Sequence, residues 1–481
     1  LAWGVNLPAH TVIIRGTQIY DPKHGGFVSM SVLDVMQIFG RAGRPQYDTS
    51  GHGVIISDHS QVANYLRLIA HALPIESKLQ TKLCDHLNAE VHAGTVSSVA
   101  EGVQWLEYTY LWQRIRANPL AYGLRITDVR HDPELRMARS NIIASAAKQL
   151  NEAGMVRYNM ETGSLDTTDL GRVASHFYVE NVSISTFNDL MRKADGTLAD
   201  AVDFGTALNV IASANEFSQL RARQDELDEL NNIHQRLPAS MRKIRIAGES
   251  TDETSIQWKV TTLLKAYFGR IVVDAHSLTA DMNYIIQNAG RIARALFEIE
   301  LMRGHPFSTA TFLTVGKCIE RRCFEKDHPL MQFNGCEDII TDAVWNHLNT
   351  KRPSMSMLAE MSEKEIGDLV HNHRVGGIIS QLVRSFPNID VQAEIQPITR
   401  TVLRIKATIK ANFVWNDRYH GGAESFWLFI EDQNNNLIFH HEQVILKKKD
   451  VKNETPVTVN VTVPIFPEYD TYCIRVYSDR W

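Results

Sequence analysis

The chain has 481 residues, 44% hydrophobic and 22% charged, with a formal net charge of −5. That composition suits a globular protein of about three or four domains, and the acidic balance argues against broad electrostatic binding of nucleic acid, so any nucleic-acid path must be a local channel. Neither an apolar run of about eighteen residues nor a secretory leader pattern is present, and five cysteines (84, 318, 323, 336 and 473) without a CxxC argue against a disulfide framework or zinc site and for a reducing compartment, cytosol or nucleus.

"LAWGVNLPA" (1–9) is apolar but broken by Gly4, Asn6 and Pro8, the pattern of a strand end entering a tight loop. Val12–Tyr20 is strand-like, Asp21–Gly26 is dense in turn formers and Phe27 resumes the apolar pattern, which predicts a β-hairpin. Val32, Leu33, Met36 and Phe39 predict a helix over 32–39. It runs into "QIFGRAGRPQYD" (37–48), where Gln37 falls one turn before Arg41 and Arg44 follows three residues later. Planar guanidinium forks match phosphate oxygens, and Gly40 and Gly43 let backbone and ligand approach closely. The string predicts an anion site for a transferring phosphoryl group; for an isolated RxxR, a surface turn with paired arginines would be the alternative.

Residues 74–179 carry a winged-helix pattern. Ile75, Leu79, Leu83, Leu87 and Val91 mark one helix face, and Ser98 with Glu101 forms a capping-box pair before a helix containing Val103, Leu106 and Tyr110. Asp132-Pro133 predicts the start of a third helix that stops at Gly154, and "MVRYNMETGSLDTT" gives two short strands about a Thr-Gly turn. Such a domain either binds DNA or braces its neighbours; we read it as a brace.

Residues 180–327 are helical by pattern, interrupted by a polar loop over 236–255. In "MNYIIQNAGRIARALFEIE", Ile285, Ile292, Leu296 and Ile299 form a core-facing stripe, while Tyr284, Gln287, Arg291 and Arg294 recur on another face. An aromatic ring and guanidinium planes can stack on bases; spacing alone equally allows a solvated polar face. Residues 328–388 read as short helices, including a helix-hairpin-helix joined across Val375-Gly376-Gly377. From Ile389 to Trp481 the period changes to two, with Leu403, Ile405, Ala407 and Ile409 alternating against Arg404, Lys406, Thr408 and Lys410. Several such strands predict an immunoglobulin- or fibronectin-like β-sandwich, open to the loss of its last element after "SDRW".

The string QxxGRAGRP resembles the last signature motif of superfamily-two helicases, and "LAWGVNLPA" the motif before it. With "LNAEV", "RANPLAYG", "TDLGRVASHFYV", "IQPITRTVLR" and "YSDRW", the resemblance extends over essentially the whole chain, to one cassette of a tandem-cassette helicase of the superkiller type. "LDVMQIFGRAGRP" and "TDLGRVASH" look closer to the cointegrator-complex branch and its N-terminal cassette, "AESFWLFIEDQNNNLIFHHE" to the spliceosomal branch. The resemblance implies a multidomain α+β chain: the end of a second RecA-like lobe (1–73), a winged helix (74–179), a helical bundle with a ratchet helix (180–327), a helix-hairpin-helix (328–388) and the sandwich (389–481). It implies an ATP-dependent 3′→5′ helicase, with ATP and Mg²⁺ as cofactors. Gly4 and Asn6 would line the nucleotide site, Gln37 and Arg41 would meet phosphates, and Arg44 would be the finger on the γ-phosphate. Tyr20, Asp21, Lys23, His24 and Phe27 would belong to the strand-separating hairpin, and Tyr284, Gln287, Arg291 and Arg294 would grip the strand. Implied partners are single-stranded or partly duplex nucleic acid, the first RecA-like lobe of the same protein and other subunits of a complex, with no membrane. In the cointegrator branch the implied settings are DNA repair and ribosome quality control, in nucleus and cytosol.

The sequence also lacks GxxxxGK[ST], and the Asp-Glu pairs at Asp225 and Asp228 lie in a charged helical stretch without the histidine of the helicase motif. We therefore expect a fragment cut inside the second lobe, whose main Mg²⁺ ligands lie elsewhere and which is inactive alone. A spliceosomal RNA helicase cassette, or an inactive cassette serving as a protein-binding platform, remain the alternatives; related helical and sandwich modules also occur in an endoplasmic-reticulum translocation protein.

Overall fold

The computed structural model describes residues 9–21, 26–43, 48–70, 75–192, 201–220, 222–244, 255–333, 340, 342–432, 434, 436–465 and 472–481. It divides into two compact units, one of residues 1–168 with 219–223, the other of 169–218 with 224–481.

The first unit begins with β1 (Thr11–Arg15), the hairpin strands β2 (Gln18–Asp21) and β3 (Gly26–Ser29), α1 (Val32–Phe39), β4 (His52–Ile56) and α2 (Val62–Ile69). β1 and β4 pair in parallel, Ile13 opposite Val54, and α1 lies on the crossover that a parallel pair requires. Ile14, Val35 and Tyr65 form its small core, with Ile38 and Phe39 against them. The predicted strand over Val12–Tyr20 is in fact two. Gly16 adopts φ +84°, and Thr17 is buried, with its hydroxyl 2.6 Å from that of Ser57 and its carbonyl accepting from Met30 N at 2.8 Å. That pivot sends β1 to β4 and β2 to β3. Helix α1 has its predicted bounds, capped by Ser31 and Asp34 reciprocally, but Val35 rather than Leu33 or Met36 carries the burial.

The winged helix follows as α3 (Leu83–Ala93), α4 (Val99–Glu107), α5 (Tyr110–Ala117), α6 (Ile126–His131), α7 (Arg136–Glu152) and the strands β5 (Val156–Tyr158) and β6 (Leu165–Thr167). Leu83, Leu87 and Val91 are buried as the periodicity predicts, whereas Ile75 precedes the helix and is exposed. Ser98 caps α4 through Glu101 N, but the Glu101 carboxylate takes Ser97 N and Oγ, both at 2.7 Å, so the reciprocal half of the box falls one residue earlier. Tyr110 opens α5, capped by Thr109, instead of continuing α4. Helix α7 starts at Arg136, later than Asp132-Pro133 suggested; Asp132 still caps it by accepting from Met137 N at 2.8 Å.

The second unit opens with α8 (Asp169–Phe177), which the sequence pattern assigned to the winged helix but which packs on the bundle. The bundle continues as α9 (Asn181–Leu190), α10 (Phe204–Ala212), α11 (Leu227–Arg236), α12 (Ala239–Arg242), α13 (Ile256–Phe268), α14 (His276–Arg303) and α15 (Pro306–Arg321). On α14, Ile285, Ile292, Leu296 and Ile299 are all buried. A buried ion cluster ties three segments together: Lys259 Nζ on α13 lies 2.7 Å from both Glu226 and Asp281. Next come α16 (Asp342–Lys351), α17 (Met355–Glu360), α18 (Glu363–Leu369) and α19 (His373–Ser385). The α18–α19 joint lies at Val370–Asn372, not at Val375-Gly376-Gly377, which are inside α19. Those glycines serve close helix packing: a Cβ on Gly376 would sit 2.2 Å from the Glu363 carbonyl oxygen.

Six strands end the unit: β7 (Ile389–Thr399), β8 (Val402–Ala411), β9 (Ala423–Asp432), β10 (Leu437–Lys447), β11 (Val457–Pro464) and β12 (Cys473–Ser478). They form two antiparallel sheets, ordered β11-β8-β7 and β10-β9-β12. Ile405, Ala407 and Ile409 of one sheet share an apolar cluster with Phe426, Leu428 and Ile430 of the other, and Val459, Val461 and Val463 join it from β11. Trp481 does not continue the sandwich. It is buried in the helical core with Phe333 and Phe386, under the Arg321 guanidinium at 4.0 Å.

Candidate nucleotide and strand sites

In the first unit, the structure brings the end of the first motif beside the arginine motif. Ala9 N donates to Arg41 O at 3.1 Å and Gly43 N donates to Ala9 O at 2.9 Å. Gly43 holds φ +61° and packs on Gly51 so tightly that a Cβ on Gly43 would lie 2.6 Å from Gly51 N. The loop backbone is therefore bare by necessity. Gln37 is exposed on the last turn of α1 and Arg41 is half-buried one turn on. Gly4, Asn6 and Arg44 lie outside the described residues. His10 Nδ1 stands 3.4 Å from Asp48 and its ring meets His52 edge-on at 5.2 Å, so both flanks of this loop carry polar groups that the sequence reading did not single out.

The hairpin pairs Gln18 with Ser29, Ile19 with Val28, Tyr20 with Phe27 and Asp21 with Gly26. Lys23 and His24 fall outside the described residues.

In the second unit, the four polar positions of α14 follow different fates. Gln287 is exposed. Tyr284 is half-buried, donating its hydroxyl to Glu216 O at 3.0 Å with its ring 6.5 Å from that of Phe217. Arg291 directs Nη1 to the carbonyls of Phe177, at 3.0 Å, and Tyr178, while Nη2 donates to Asn288 Oδ1 at 2.6 Å. Arg294 donates to the Asp479 carboxylate at 2.6 Å and to Asp479 O at 2.9 Å, and Trp427 Nε1 holds the same carboxylate at 2.8 Å. Both forks are thus engaged with the protein itself, Arg291 at the C-terminus of α8 and Arg294 at the segment after β12. Sequence reasoning missed these acceptors, although "TDLGRVASHFYV" and "YSDRW", two of the stretches that carried the resemblance, contain them. Lys317, on α15, shares this environment: burial pushes its ammonium down to about 8, against the opposing pull of Asp479.

"RANPLAYG" has a local explanation. Arg114 donates to both oxygens of Glu76, at 3.2 and 2.9 Å, and Asn118 and Tyr122 donate to it at 2.9 and 2.8 Å. Hydrogen bonds from Arg114, Asn118 and Tyr122 pull the Glu76 carboxyl down to about 2. This latch fastens the segment that enters the winged helix. Among the described residues no group of three or more His, Cys, Asp or Glu could hold a metal ion, and no helix is long and apolar enough to cross a membrane.

Comparison with known proteins gives these features a family. Residues 167–481 match the Sec63 Brl domain and residues 76–158 a winged helix-turn-helix domain. The chain is 41% identical over 485 residues to activating signal cointegrator 1 complex subunit 3 of Homo sapiens, covering 100% of this chain and 21% of that protein. It is 41% identical over 482 residues to the DExH-box ATP-dependent RNA helicase DExH14 of Arabidopsis thaliana, and 40% over 482 residues to the U5 small nuclear ribonucleoprotein 200 kDa helicase of Caenorhabditis elegans; each covers 100% of this chain and 22% of the relative. Both helicase branches expected from the sequence are among these relatives, and the chain spans about a fifth of their length.

Proposed function

The chain belongs to the Sec63 Brl-domain family, with superkiller-type helicases as relatives over its whole length, and we propose that it works as part of an ATP-dependent 3′→5′ nucleic-acid helicase. The observation that carries this reading is the double backbone contact between Ala9 and the Arg41–Gly43 turn, which joins two stretches that each resemble a helicase motif. A bare, left-handed glycine beside a half-buried arginine and an exposed glutamine fits a phosphate. Gln37 and Arg41 would orient phosphate oxygens, Gly4 and Asn6 would line the nucleotide, and Arg44 would stabilise charge that develops as the phosphoryl group departs. When bound, ATP with Mg²⁺ would supply that group.

Strand separation falls to the β2–β3 hairpin, through Tyr20, Asp21 and Phe27 on its strands, with Lys23 and His24 in the sequence between them. Strand grip falls to α14, with Gln287 as the open position. Tyr284, Arg291 and Arg294 border the path; Arg291 holds α14 to the end of α8 and Arg294 holds it to the segment after β12. We assign the first RecA-like lobe and other subunits of a nuclear or cytosolic complex as partners, and an immunoglobulin-like identity to the sandwich.

The test uses the full-length protein on a duplex with a 3′ single-stranded tail, scoring unwinding and strand-stimulated ATPase. Arg44→Ala should lower kcat for ATP by about 10³–10⁵ with nucleotide affinity nearly unchanged. A second reading, a protein-binding platform, is favoured by β7, an edge strand of 11 residues with Ile395 61% and Ile398 53% exposed. Absence of both activities in the full-length protein would select the platform.

A further inference from the structure

Tyr178 sits immediately after α8 in a conformation that favours glycine. Its φ is +54°, Val179 N closes back on Ala174 O at 2.9 Å, and Tyr178 N reaches Ser175 O at 3.3 Å. Helices commonly end this way on Gly or Asn, because a Cβ is strained there. The side chain recovers nothing for that strain from packing, since Tyr178 is 83% exposed. Nor does its phenol find a hydrogen-bond partner among the described residues. A large aromatic ring is held in water at a position where a residue without a side chain would be more stable.

The backbone that carries the ring is held firmly. Arg291 Nη1 donates to the carbonyls on both sides of the Tyr178 Cα, those of Phe177 and of Tyr178 itself. Nε and Nη2 of the same guanidinium are fixed by Asn288 Oδ1 at 3.2 and 2.6 Å, and Glu216 lies 3.9 Å away as its counter-charge. One side chain of α14 therefore sets the backbone that presents the ring, on the helix whose exposed Gln287 lies one turn before Arg291. An exposed aromatic ring carried on a fixed backbone is the group that stacks on an unpaired base without regard to sequence.

We propose that Tyr178 is a base-stacking platform for a single strand, positioned by Arg291. This rests on the reading above that α14 borders a strand path, and it adds a contact from a different helix. It also gives Arg291 a second role: a positioning residue that holds Tyr178 out, rather than only a phosphate or base contact.

The experiment uses the full-length protein and single-stranded oligonucleotides carrying 2-aminopurine at successive positions, read by fluorescence quenching and by strand affinity. Tyr178→Gly should relieve the backbone and leave thermal stability equal or higher, yet weaken strand affinity by about 5- to 150-fold and abolish quenching at one register. Tyr178→Phe should keep both signals, and Tyr178→Leu should lose them, because the ring and not its hydroxyl or bulk makes the contact. If the wild type binds the strand and Tyr178→Gly binds it equally with unchanged quenching, the inference is overturned while the strand path on α14 survives. A wild-type protein that binds no strand overturns both. A variant that loses unwinding with affinity and quenching intact also overturns the inference, since the ring would then be touching something other than a base.

Discussion

Gly376 and Gly377 are adjacent glycines in one helix, and alanine should act on them with opposite signs. At Gly376 a Cβ would lie 2.2 Å from the Glu363 carbonyl oxygen and 3.0 Å from Gly367 N, both backbone atoms of α18. Moving the Glu363 oxygen from 2.2 Å to an ordinary contact of 3.4 Å requires the two helices to part by about 1.2 Å. Overpacking against rigid backbone costs up to about 3 kcal/mol, and the better helix propensity of alanine returns about 1 kcal/mol. Gly376→Ala should therefore lose about 2 kcal/mol, close to a 30-fold rise in opening. At Gly377 the nearest atom is Glu363 Oε2 at 3.2 Å, the end of a flexible side chain that can swing aside. Gly377→Ala should gain up to about 1 kcal/mol, about 5-fold in protection. Hydrogen–deuterium exchange on peptides spanning α18 and α19 measures both directly as local opening. Equal destabilisation by the two alanines would refute the packing argument and restore the pair as the turn of the hairpin.

Three further outcomes are expected. The chain alone should hydrolyse no ATP, because its sequence holds no phosphate-loop motif; Arg44-dependent turnover by the isolated chain would contradict this. Deleting Asp21–Gly26 from the full-length protein should abolish duplex unwinding but spare strand-stimulated ATPase, whereas equal loss of both would make the hairpin a structural connector. The Glu76 latch should be acid-labile: its carboxyl titrates at about 2 in the folded chain and at 4.5 when free, so its stabilisation is complete above 4.5 and lost as pH falls from 4.5 towards 2. The melting-temperature gap between the wild type and Glu76→Gln should accordingly shrink over that window, and a constant gap would exclude an ionised latch.

Much of the fold was legible because it depends on short repeats. The alternation of β8 assigned Leu403, Ile405, Ala407 and Ile409 to the core, and the stripe on α14 assigned Ile285, Ile292, Leu296 and Ile299; all are buried except Leu403, which is half-buried. Burial follows from period and hydrophobicity, which a few consecutive residues specify. Element edges were less legible. Gly16 and Thr17 split an apolar run, and Tyr110 began a helix instead of ending one, because distant Met30, Ser57 and Tyr65 decide the first break and a local Thr109 cap the second.

By itself the sequence determined the change from helical to strand periodicity along the chain and most of the core-facing stripes. It did not determine where the arginines of α14 spend their donors. A guanidinium fork accepts a phosphate, a carboxylate or a pair of carbonyls on nearly equal terms, so local spacing names the donor and leaves the acceptor open. The tertiary structure chose Phe177 and Tyr178 for Arg291, 114 and 113 residues away, and Asp479 for Arg294, 185 residues away. It made the same choice at the end of the chain, where Trp481, read as the edge of a sandwich, closes the helical core because the fold brings Phe333, Phe386 and Arg321 around it. Periodicity is a property of neighbours along the chain; partnership is a property of neighbours in space.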